Sequence, residues 1–337
     1  MPLKVTWKKG MRLSTDVFDA MDVCNDEIIT LSNIIATGGR YGLIPAKKAF
    51  SLSVNVSNNV LEVVSLSCHG VTRSGKIVDI NFDSNFANTF EARVSIPESG
   101  ADEAFLLIVR TYDKEWREVN EVYSEPKYTF ELIGANSPVD SNSLPVGLVV
   151  NQYGWRLDES EFVPPCLYAN AHPAYVDLVN RAKLMFKSIS DRCLGSVNCV
   201  ARHLFTAVWT AAVHNYIYVD KKDDALTPAG LLAAVQRVVA SFVIGCSADE
   251  YITLENAEPF VEYLQKPYDA RNLYRDIRIG LELCAEISVK MDAVCGMTEV
   301  QEAPPAVEKS KPRERPKPQP EPEPQPKGRN RWEGIEI

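Results

Sequence analysis

The sequence predicts a multidomain α+β protein: an antiparallel β-sandwich with a leading helix, then an α-helical bundle, then a disordered Pro-rich tail. Three observations support this prediction. Apolar and polar residues alternate between residues 42 and 150, as in strands, and apolar residues recur every three or four positions between 173 and 295, as in helices. From Pro316 to Pro326, Pro occupies every second position. We place the β-sandwich domain at 1–165, the bundle at 166–298 and the tail at 299–337.

The composition is that of a globular protein, and it disfavours nucleic-acid binding. The 337 residues are enough for two cores, and 45% of them are hydrophobic. The net charge of −9 disfavours contact with phosphate backbones, which needs clustered Lys and Arg. No apolar run approaches the ~20 residues of a membrane span, and the first ten residues lack the apolar run of a signal peptide. We therefore expect a cytoplasmic protein that does not insert into the membrane and whose eight Cys are reduced.

The first element is predicted to be a helix over residues 14–36. Ser14 or Thr15 can cap its start, and Asp16 lies where the helix dipole favours a negative charge. Thr37-Gly38-Gly39 is expected to end it. Apolar residues recur along one side of this helix, and we call them the apolar stripe: Met21, Cys24, Ile28, Leu31 and Ile35, with Phe18 one turn earlier.

Short strands separated by turn residues are predicted after this helix. Asn58-Asn59 fits a two-residue hairpin turn between the first two strands. Many short strands joined by turns indicate a sandwich of two antiparallel sheets. The predicted strands cover residues 50–56, 60–66, 76–82, 89–96, 104–112, 128–133 and 144–150.

The change from strands to helices occurs at a joint that contains two adjacent prolines. Leu144 and Pro145 begin a buried strand, in which a Pro near the start is tolerated. Leu157 and Asp158 then lead to Val163-Pro164-Pro165, whose restricted φ angles and missing N–H donors exclude both a helix and a central strand. We therefore predict a stiff joint between sheet and bundle, which indicates an adaptor rather than an active-site cleft.

Strongly apolar helices joined by short loops indicate a helical bundle after the joint. Pro173 is predicted to start the first of these helices, and Thr227-Pro228 is predicted to start another. The last helix carries a heptad seam, which can close inside one subunit or between identical subunits. The seam consists of Leu273, Ile277, Gly280, Cys284, Ile287 and Met291.

The end of the Pro-rich tail carries apolar residues that are unusual in a disordered segment. Its proline spacing cannot form a core, so the tail is predicted to be disordered or polyproline-like. Arg331, Trp332, Ile335 and Ile337 follow it. They form either a frayed terminus or a docking peptide that folds on a partner.

No arrangement of residues in the sequence indicates catalysis. The four His are His69, His172, His203 and His214, and none has the neighbours that a zinc site requires. The sequence also has no nucleophile-elbow motif, no phosphate-binding loop motif and no His-Glu-x-x-His motif. We therefore predict no catalytic residue, no bound metal and no cofactor.

Two sequence patterns resemble the TssK family of type VI secretion baseplate subunits. The N-terminal pattern is Trp7-Lys8-Lys9-Gly10-Met11-Arg12-Leu13, with Phe18 in the matching place. The second is the ordered series at the joint: Leu-Pro-Val at 144–146, Leu-Asp at 157–158 and Val-Pro-Pro at 163–165. The resemblance extends in order over residues 5–295, although Arg12, Thr15, Asp16 and Val17 depart from the family pattern.

The resemblance implies a non-enzymatic structural adaptor of a contractile injection system. Such an adaptor links the baseplate wedge to the envelope complex in the cytoplasm, at the inner face of the cell envelope. It also implies a homotrimer, which favours sharing the heptad seam between subunits. The C-terminal head domain of the family would be missing, and the tail would take over its docking task.

The same resemblance assigns a role to the N-terminal residues Trp7, Gly10, Met11, Leu13 and Phe18. They would form the wedge interface, or they would pack only within their own chain. An alternative function is a phage-tail-like receptor-binding or tail adaptor protein, because β-domains of this family resemble such shells. Sugar binding by such a protein would need exposed aromatic residues, for which Tyr112, Trp116 and Tyr123 are candidates.

Overall fold

A computed structural model of the chain describes residues 5–12, 14–83, 92–97, 104–118, 124–195, 201–222, 225–248 and 257–298. Within these ranges, a helix and two antiparallel sheets precede a set of helices, which confirms the predicted α+β class. Helix α1 (Thr15–Thr37) ends at Gly38, whose φ of 61° is left-handed. The N–H of Gly39 donates to Ile34 O at 3.0 Å, so the predicted glycine cap is confirmed.

The first sheet is built around one long strand. The hairpin between β2 and β3 turns at Asn58 and Asn59, whose φ angles of 50° and 57° confirm the predicted turn. Strand β3 pairs with β2 and then β1 along one edge, and with β5 and then β4 along the other. The five strands are β1 (Gly42–Leu43), β2 (Ser51–Ser57), β3 (Val60–Val71), β4 (Ile77–Asp83) and β5 (Arg93–Ser95).

The second sheet has four strands in the order β7-β6-β8-β9. They are β6 (Ala104–Glu118), β7 (Ser124–Gly134), β8 (Ser143–Asn151) and β9 (Trp155–Leu157). The two sheets pack face to face, because a Cβ on Gly147 of β8 would lie 2.9 Å from Leu52 of β2. Tyr128 Oη also accepts a hydrogen bond from Asp79 N at 3.3 Å. The predicted sandwich is therefore present, with one core between its sheets.

Four long helices form the bundle, and each packs against the next in a ring: α2 (Pro173–Gly195), α3 (Arg202–Lys222), α4 (Pro228–Ala248) and α6 (Leu273–Thr298). The short helix α5 (Glu258–Gln265) was not predicted, because eight residues show little periodicity. Its Phe260 packs on Phe242 of α4, with ring centroids 5.0 Å apart. A short 3-10 turn (Ala169–Ala171) precedes α2.

Helix α4 is the most apolar helix of the bundle. In the described ranges it is the one helix whose length and composition would allow it to cross a membrane. Half of the apolar window is buried, as in the core helix of a bundle, and Leu231, Val235 and Val238 are fully enclosed.

The two layers of the protein meet where strand β1 pairs with the double-proline segment. Leu43 N donates to Pro165 O at 2.7 Å, and Leu167 N donates to Leu43 O at 2.8 Å. Leu43 also pairs with Gly70 of β3, so β1 is held between the first sheet and the joint. Because Pro164 and Pro165 are buried, this short strand ties the sheet directly to the start of the bundle.

Two glycines allow this close approach. A Cβ on Gly42 would lie within 2.8 Å of the Pro165 carbonyl carbon and Cys166 N, and its φ of 141° is strained for other residues. A Cβ on Gly70 would lie 2.8 Å from Leu144 Cδ2 and 2.9 Å from Gly42 O. The joint is therefore a stack of backbone on backbone, which leaves little freedom for rotation between the layers.

Arginines at the start of α6 connect the bundle to the loops of the sandwich. Arg271 donates to Ser137 O at 2.9 Å while it pairs with Asp269 at 3.0 Å. Arg278 donates to Glu161 Oε1 at 2.9 Å and to Ser160 O at 3.2 Å. Burial raises the pKa of Asp269, but hydrogen bonds from Arg271 outweigh it and leave the pKa below its ordinary value.

His172 begins the bundle by capping α2. Its carbonyl accepts from Tyr175 N, and its Nδ1 accepts from Ala174 N at 3.2 Å, as an N-cap side chain does. The ring also packs on Phe50, with centroids 5.4 Å apart. Burial lowers the pKa of His172 to about 4, and only the neutral ring can accept at Nδ1.

Gly42→Ala is expected to lower the free energy of unfolding by about 3 kcal/mol, because it adds backbone strain and overpacking. Gly39→Ala is the matched control, since Gly39 has a φ of 75° and no atom near its Cβ position. The control should cost only about 1 kcal/mol, the strain alone. Chemical denaturation measures both losses, and equal losses would show that contact with Pro165 does not constrain the joint.

Because the pKa of His172 is about 4, the free energy of unfolding is expected to fall as the pH drops from about 6.5 to 4. In this window the unfolded chain binds a proton that the folded His172 does not, so acid favours unfolding. The denaturation midpoint of the wild type should fall more between pH 6.5 and 4 than that of His172→Gln. The difference between the two midpoints should therefore shrink as the pH drops. His214→Gln on α3 controls for loss of a surface imidazole, and parallel curves for all three proteins would contradict the prediction.

Candidate assembly surfaces

The N-terminal segment presents apolar side chains at the surface. Trp7 is 52% exposed and Met11 is 36% exposed. Gly10 has a φ of 83°, in a turn that Met11 N closes by donating to Lys8 O at 3.0 Å. Leu13, also predicted for the wedge interface, lies outside the described residues.

The apolar stripe of α1 lies mostly at the surface too. Cys24 is buried, but Phe18 is 45% exposed and Ile35 is 72% exposed. Ile28 and Leu31 are also exposed. The helix carries five acidic residues and no Lys or Arg: Asp16, Asp19, Asp22, Asp26 and Glu27. The helix therefore exposes an apolar stripe on one side and carries its negative charge on the other sides.

Helix α1 contacts the sandwich through a face other than the stripe. Asn33 Nδ2 donates to Gly75 O at 2.9 Å, in the turn between β3 and β4. A Cβ on Gly75 would lie 2.8 Å from Ile34 Cγ1 and would overlap Thr30 O, so the turn lies directly against the helix backbone. Asn33 and Ile35 are two positions apart and point to nearly opposite sides of the helix. Because the sandwich holds the helix through the side that carries Asn33, the opposite side, which carries the apolar stripe, is left mostly exposed.

A groove of about 870 Å³ runs between α1 and the sandwich, and we call it the α1 groove. The helix contributes the apolar side chains Val23, Ile29 and Leu31. The sandwich contributes Ile77, Tyr112 and Pro126. Asp26 and Glu27 add negative charge, and Lys76 also lines the groove. This groove was not predicted, because no local pattern shows which strands a helix will lie beside.

The heptad seam of α6 closes inside the single chain. Leu273, Ile277, Cys284, Ile287 and Met291 are all buried, and α2 and α4 pack against this helix. Gly280 lies beneath the Tyr263 ring of α5, whose Oη donates to Asp276 O at 3.1 Å. The seam residues therefore pack against the chain's own helices, which is one of the two alternatives that the sequence left open.

The structure brings together some of the predicted joint residues. Leu144 packs on Gly70 next to Pro165, whereas Pro145 lies in β8 beside a shift of register between Leu107 and Ile108. Leu157 ends β9. Asp158 Oδ1 accepts from Ser160 N and Glu161 N, which forms a turn leading to the Arg278 contact. Burial raises the pKa of Asp158, but these hydrogen bonds outweigh it and lower the pKa overall.

The arginine contacts of α6 were missed at the sequence level. Charged residues outside the heptad seam of a helix, such as Arg271 and Arg278, are expected to face solvent. Both instead bind carbonyls of the sandwich loops. No local pattern predicts this role, because a charged residue on the outside of a helix has the same spacing whether it faces water or another domain.

The histidines and cysteines of the described chain do not form a metal centre. His69 Nδ1 lies 3.1 Å from Asp79 Oδ1, and His203 and His214 lie exposed on α3. In the described ranges, no three His, Cys, Asp or Glu are placed to hold a metal ion. Six cysteines there form no disulfide bond: Cys24, Cys68, Cys166, Cys193, Cys246 and Cys284.

Two groups of predicted binding residues fall partly or wholly outside the described side chains. Tyr112 shares a hydrogen bond with Thr129 Oγ1 at 3.1 Å, while the side chains of Trp116 and Tyr123 are not described. The tail residues Arg331, Trp332, Ile335 and Ile337 also lie outside the described residues. Their roles stay predictions.

Comparison with known proteins identifies the fold. No protein-family model and no curated protein matches the sequence. A structure of TssK from the type VI secretion system of EAEC, bound to nanobody nb18, is 13% identical, with a TM-score of 0.53 over 79% of this chain and 68% of that chain. A crystal structure of TssK is 15% identical, with a TM-score of 0.55 over 86% of this chain and 69% of that chain.

A third similar structure comes from an assembly. It is a chain of the TssK-TssF-TssG baseplate subcomplex of the type VI secretion system, determined by cryo-electron microscopy. Its identity is 12% and its TM-score is 0.55, over 86% of this chain and 99% of that chain. The β-sandwich, the joint and the helical bundle described above therefore have the fold of TssK.

Proposed function

We propose that this chain is a non-enzymatic structural subunit of a type VI secretion baseplate, and that its N-terminal segment and apolar stripe bind the baseplate wedge. The observation that carries the proposal is the exposed apolar surface formed by Trp7, Met11 and Phe18 on a TssK-like fold. One solved structure with this fold belongs to a baseplate subcomplex, which supports the same setting for this chain.

The energetics of the exposed side chains support an interface. Burying a Trp, Phe or Ile side chain completely stabilises a protein by roughly 1.5–3 kcal/mol, and α1 forgoes much of this at Phe18, Ile28 and Ile35. A helix that needed only to stabilise its own domain would turn this stripe towards the sandwich. Contiguous apolar patches at a surface mark contact sites for other proteins.

The negative charge of α1 indicates the chemistry of the partner. Its five acidic residues lie beside or opposite the apolar stripe, so a partner that contacts the stripe with apolar anchors and reaches around the helix with Lys and Arg would complement it. Exposed acidic residues mainly raise the rate of association and select the partner, while the apolar anchors supply most of the affinity.

We also infer that the chain forms a homotrimer that links the wedge to the envelope complex from the cytoplasm. Because the α6 seam is filled by the chain's own helices, subunits would meet through outer surfaces of the bundle. Leu184 on α2, Ile244 on α4 and Val289 on α6 are apolar side chains on those surfaces, each at least 65% exposed. They are the residues whose exposure favours contact between subunits.

The double variant Trp7→Ala and Met11→Ala is expected to weaken binding to the wedge subunits at least tenfold, because aromatic anchors carry about 2 kcal/mol or more of binding energy. Titration of labelled chain with purified wedge subunits measures the affinity. Tyr153→Ala is a matched control, because Tyr153 is a fully exposed aromatic residue in the turn before β9. Unchanged affinity in the double variant would reject the wedge role of the N-terminal segment.

Light scattering of the purified chain at micromolar concentration is expected to give three times the mass of one chain. Leu184→Glu combined with Val289→Glu should shift this mass towards that of one chain, since charges would replace apolar contacts between subunits. Both residues are exposed, so the fold should persist, and circular dichroism can check it. A wild-type mass of one chain would contradict the trimer.

A further inference from the structure

The lining of the α1 groove determines the chemistry of the segment that would fit it. Ile29 on its helix side and Ile77 on its sandwich side are 48% and 46% exposed. Asp26 and Glu27 lie along its helix side and Lys76 along its sandwich side, so the lining has a net negative charge. An extended segment with apolar side chains and positive charge would bury these residues and neutralise the acids.

The tail contains one segment with this composition. Residues 327–337 read Lys-Gly-Arg-Asn-Arg-Trp-Glu-Gly-Ile-Glu-Ile. Three basic residues are followed directly by Trp332, and Ile335 and Ile337 come after it. The basic part matches the acidic side of α1, and the Trp and Ile side chains match the apolar walls of the groove.

The spacer between the bundle and this segment is long enough to reach the groove. The start of α6 lies beside the end of α1, since Asp269 and Leu273 line the same cavity as Gly39 and Tyr41. From there α6 extends ~39 Å to Thr298, at ~1.5 Å per residue. The 28 residues from 299 to 326 would span ~87 Å as a polyproline-like chain, which exceeds the return distance along α6 and on to the groove.

We propose that segment 327–337 docks in the α1 groove of its own chain. Lys327, Arg329 and Arg331 would lie along Asp26 and Glu27, and Trp332 and Ile335 would fill the space between Ile29 and Ile77. Leu31 belongs to both the groove and the apolar stripe. The docked segment would therefore also contact this one residue of the stripe.

Cross-linking of the full chain, purified without partners, tests this proposal. A carbodiimide joins Lys amines to nearby carboxylates, and mass spectrometry identifies the joined residues. The expected product joins Lys327 to Asp26 or Glu27. Its yield should fall about tenfold in Ile29→Glu and in the double tail variant Trp332→Ala with Ile335→Ala, because each removes apolar contacts of the docked segment.

The matched control is Ile35→Glu, which changes an exposed isoleucine of the same helix that does not line the groove. This variant should keep the wild-type yield. Absence of the Lys327 product, or equal yields in all variants, would overturn the proposal. Cross-linking a mixture of ¹⁵N-labelled and unlabelled chains shows whether Lys327 reacts with its own chain or with another copy. Cross-linked peptides that carry a single isotope support docking within a chain. Peptides that combine both isotopes would overturn the proposal in favour of docking between copies.

Discussion

Two backbone hydrogen bonds made by Leu43 set the arrangement of the whole molecule. They join β1 to the Pro165–Leu167 segment, while the same residue pairs with β3. A strand of two residues is normally weak. Here the buried Pro164 and Pro165 on one side and Gly70 on the other restrict β1 to one arrangement. The sandwich and the bundle therefore share one continuous core rather than two that meet at a flexible linker.

The arginines of α6 add to this joint at its edge. Arg271 and Arg278 reach loops that belong to different parts of the sandwich, after β7 and after β9. Contacts of exposed charges are individually weak, so their main effect is to select one orientation of the bundle. The apolar stack of Leu144, Gly70 and Gly42 supplies the packing, and the arginines restrict rotation around it.

Much of the fold could be predicted from the sequence because it depends on local pattern. Alternation identified the strands, the Asn58-Asn59 turn had a defined backbone requirement, and the heptad spacing identified α6. The failures concern relations between distant residues. Periodicity showed that α1 has an apolar side, but Asn33 and Gly75, 42 positions apart, decide which side faces the sandwich. Similarly, the seam pattern is identical for packing within and between chains, so only the placement of α2 and α4 could show which applies.

The attachment of α1 has a mechanical consequence. Its contacts with the β3–β4 turn lie at Thr30, Asn33 and Ile34, near one end of a helix that is ~35 Å long. The residues before Thr30 extend for ~22 Å towards the N-terminal segment, and Val23, Asp26 and Glu27 among them line the α1 groove. A pull on Trp7 would therefore be transmitted along α1 to the β3–β4 turn, where Asn33 binds Gly75 and Ile34 packs against it. This turn would bear such a load before the buried joint did.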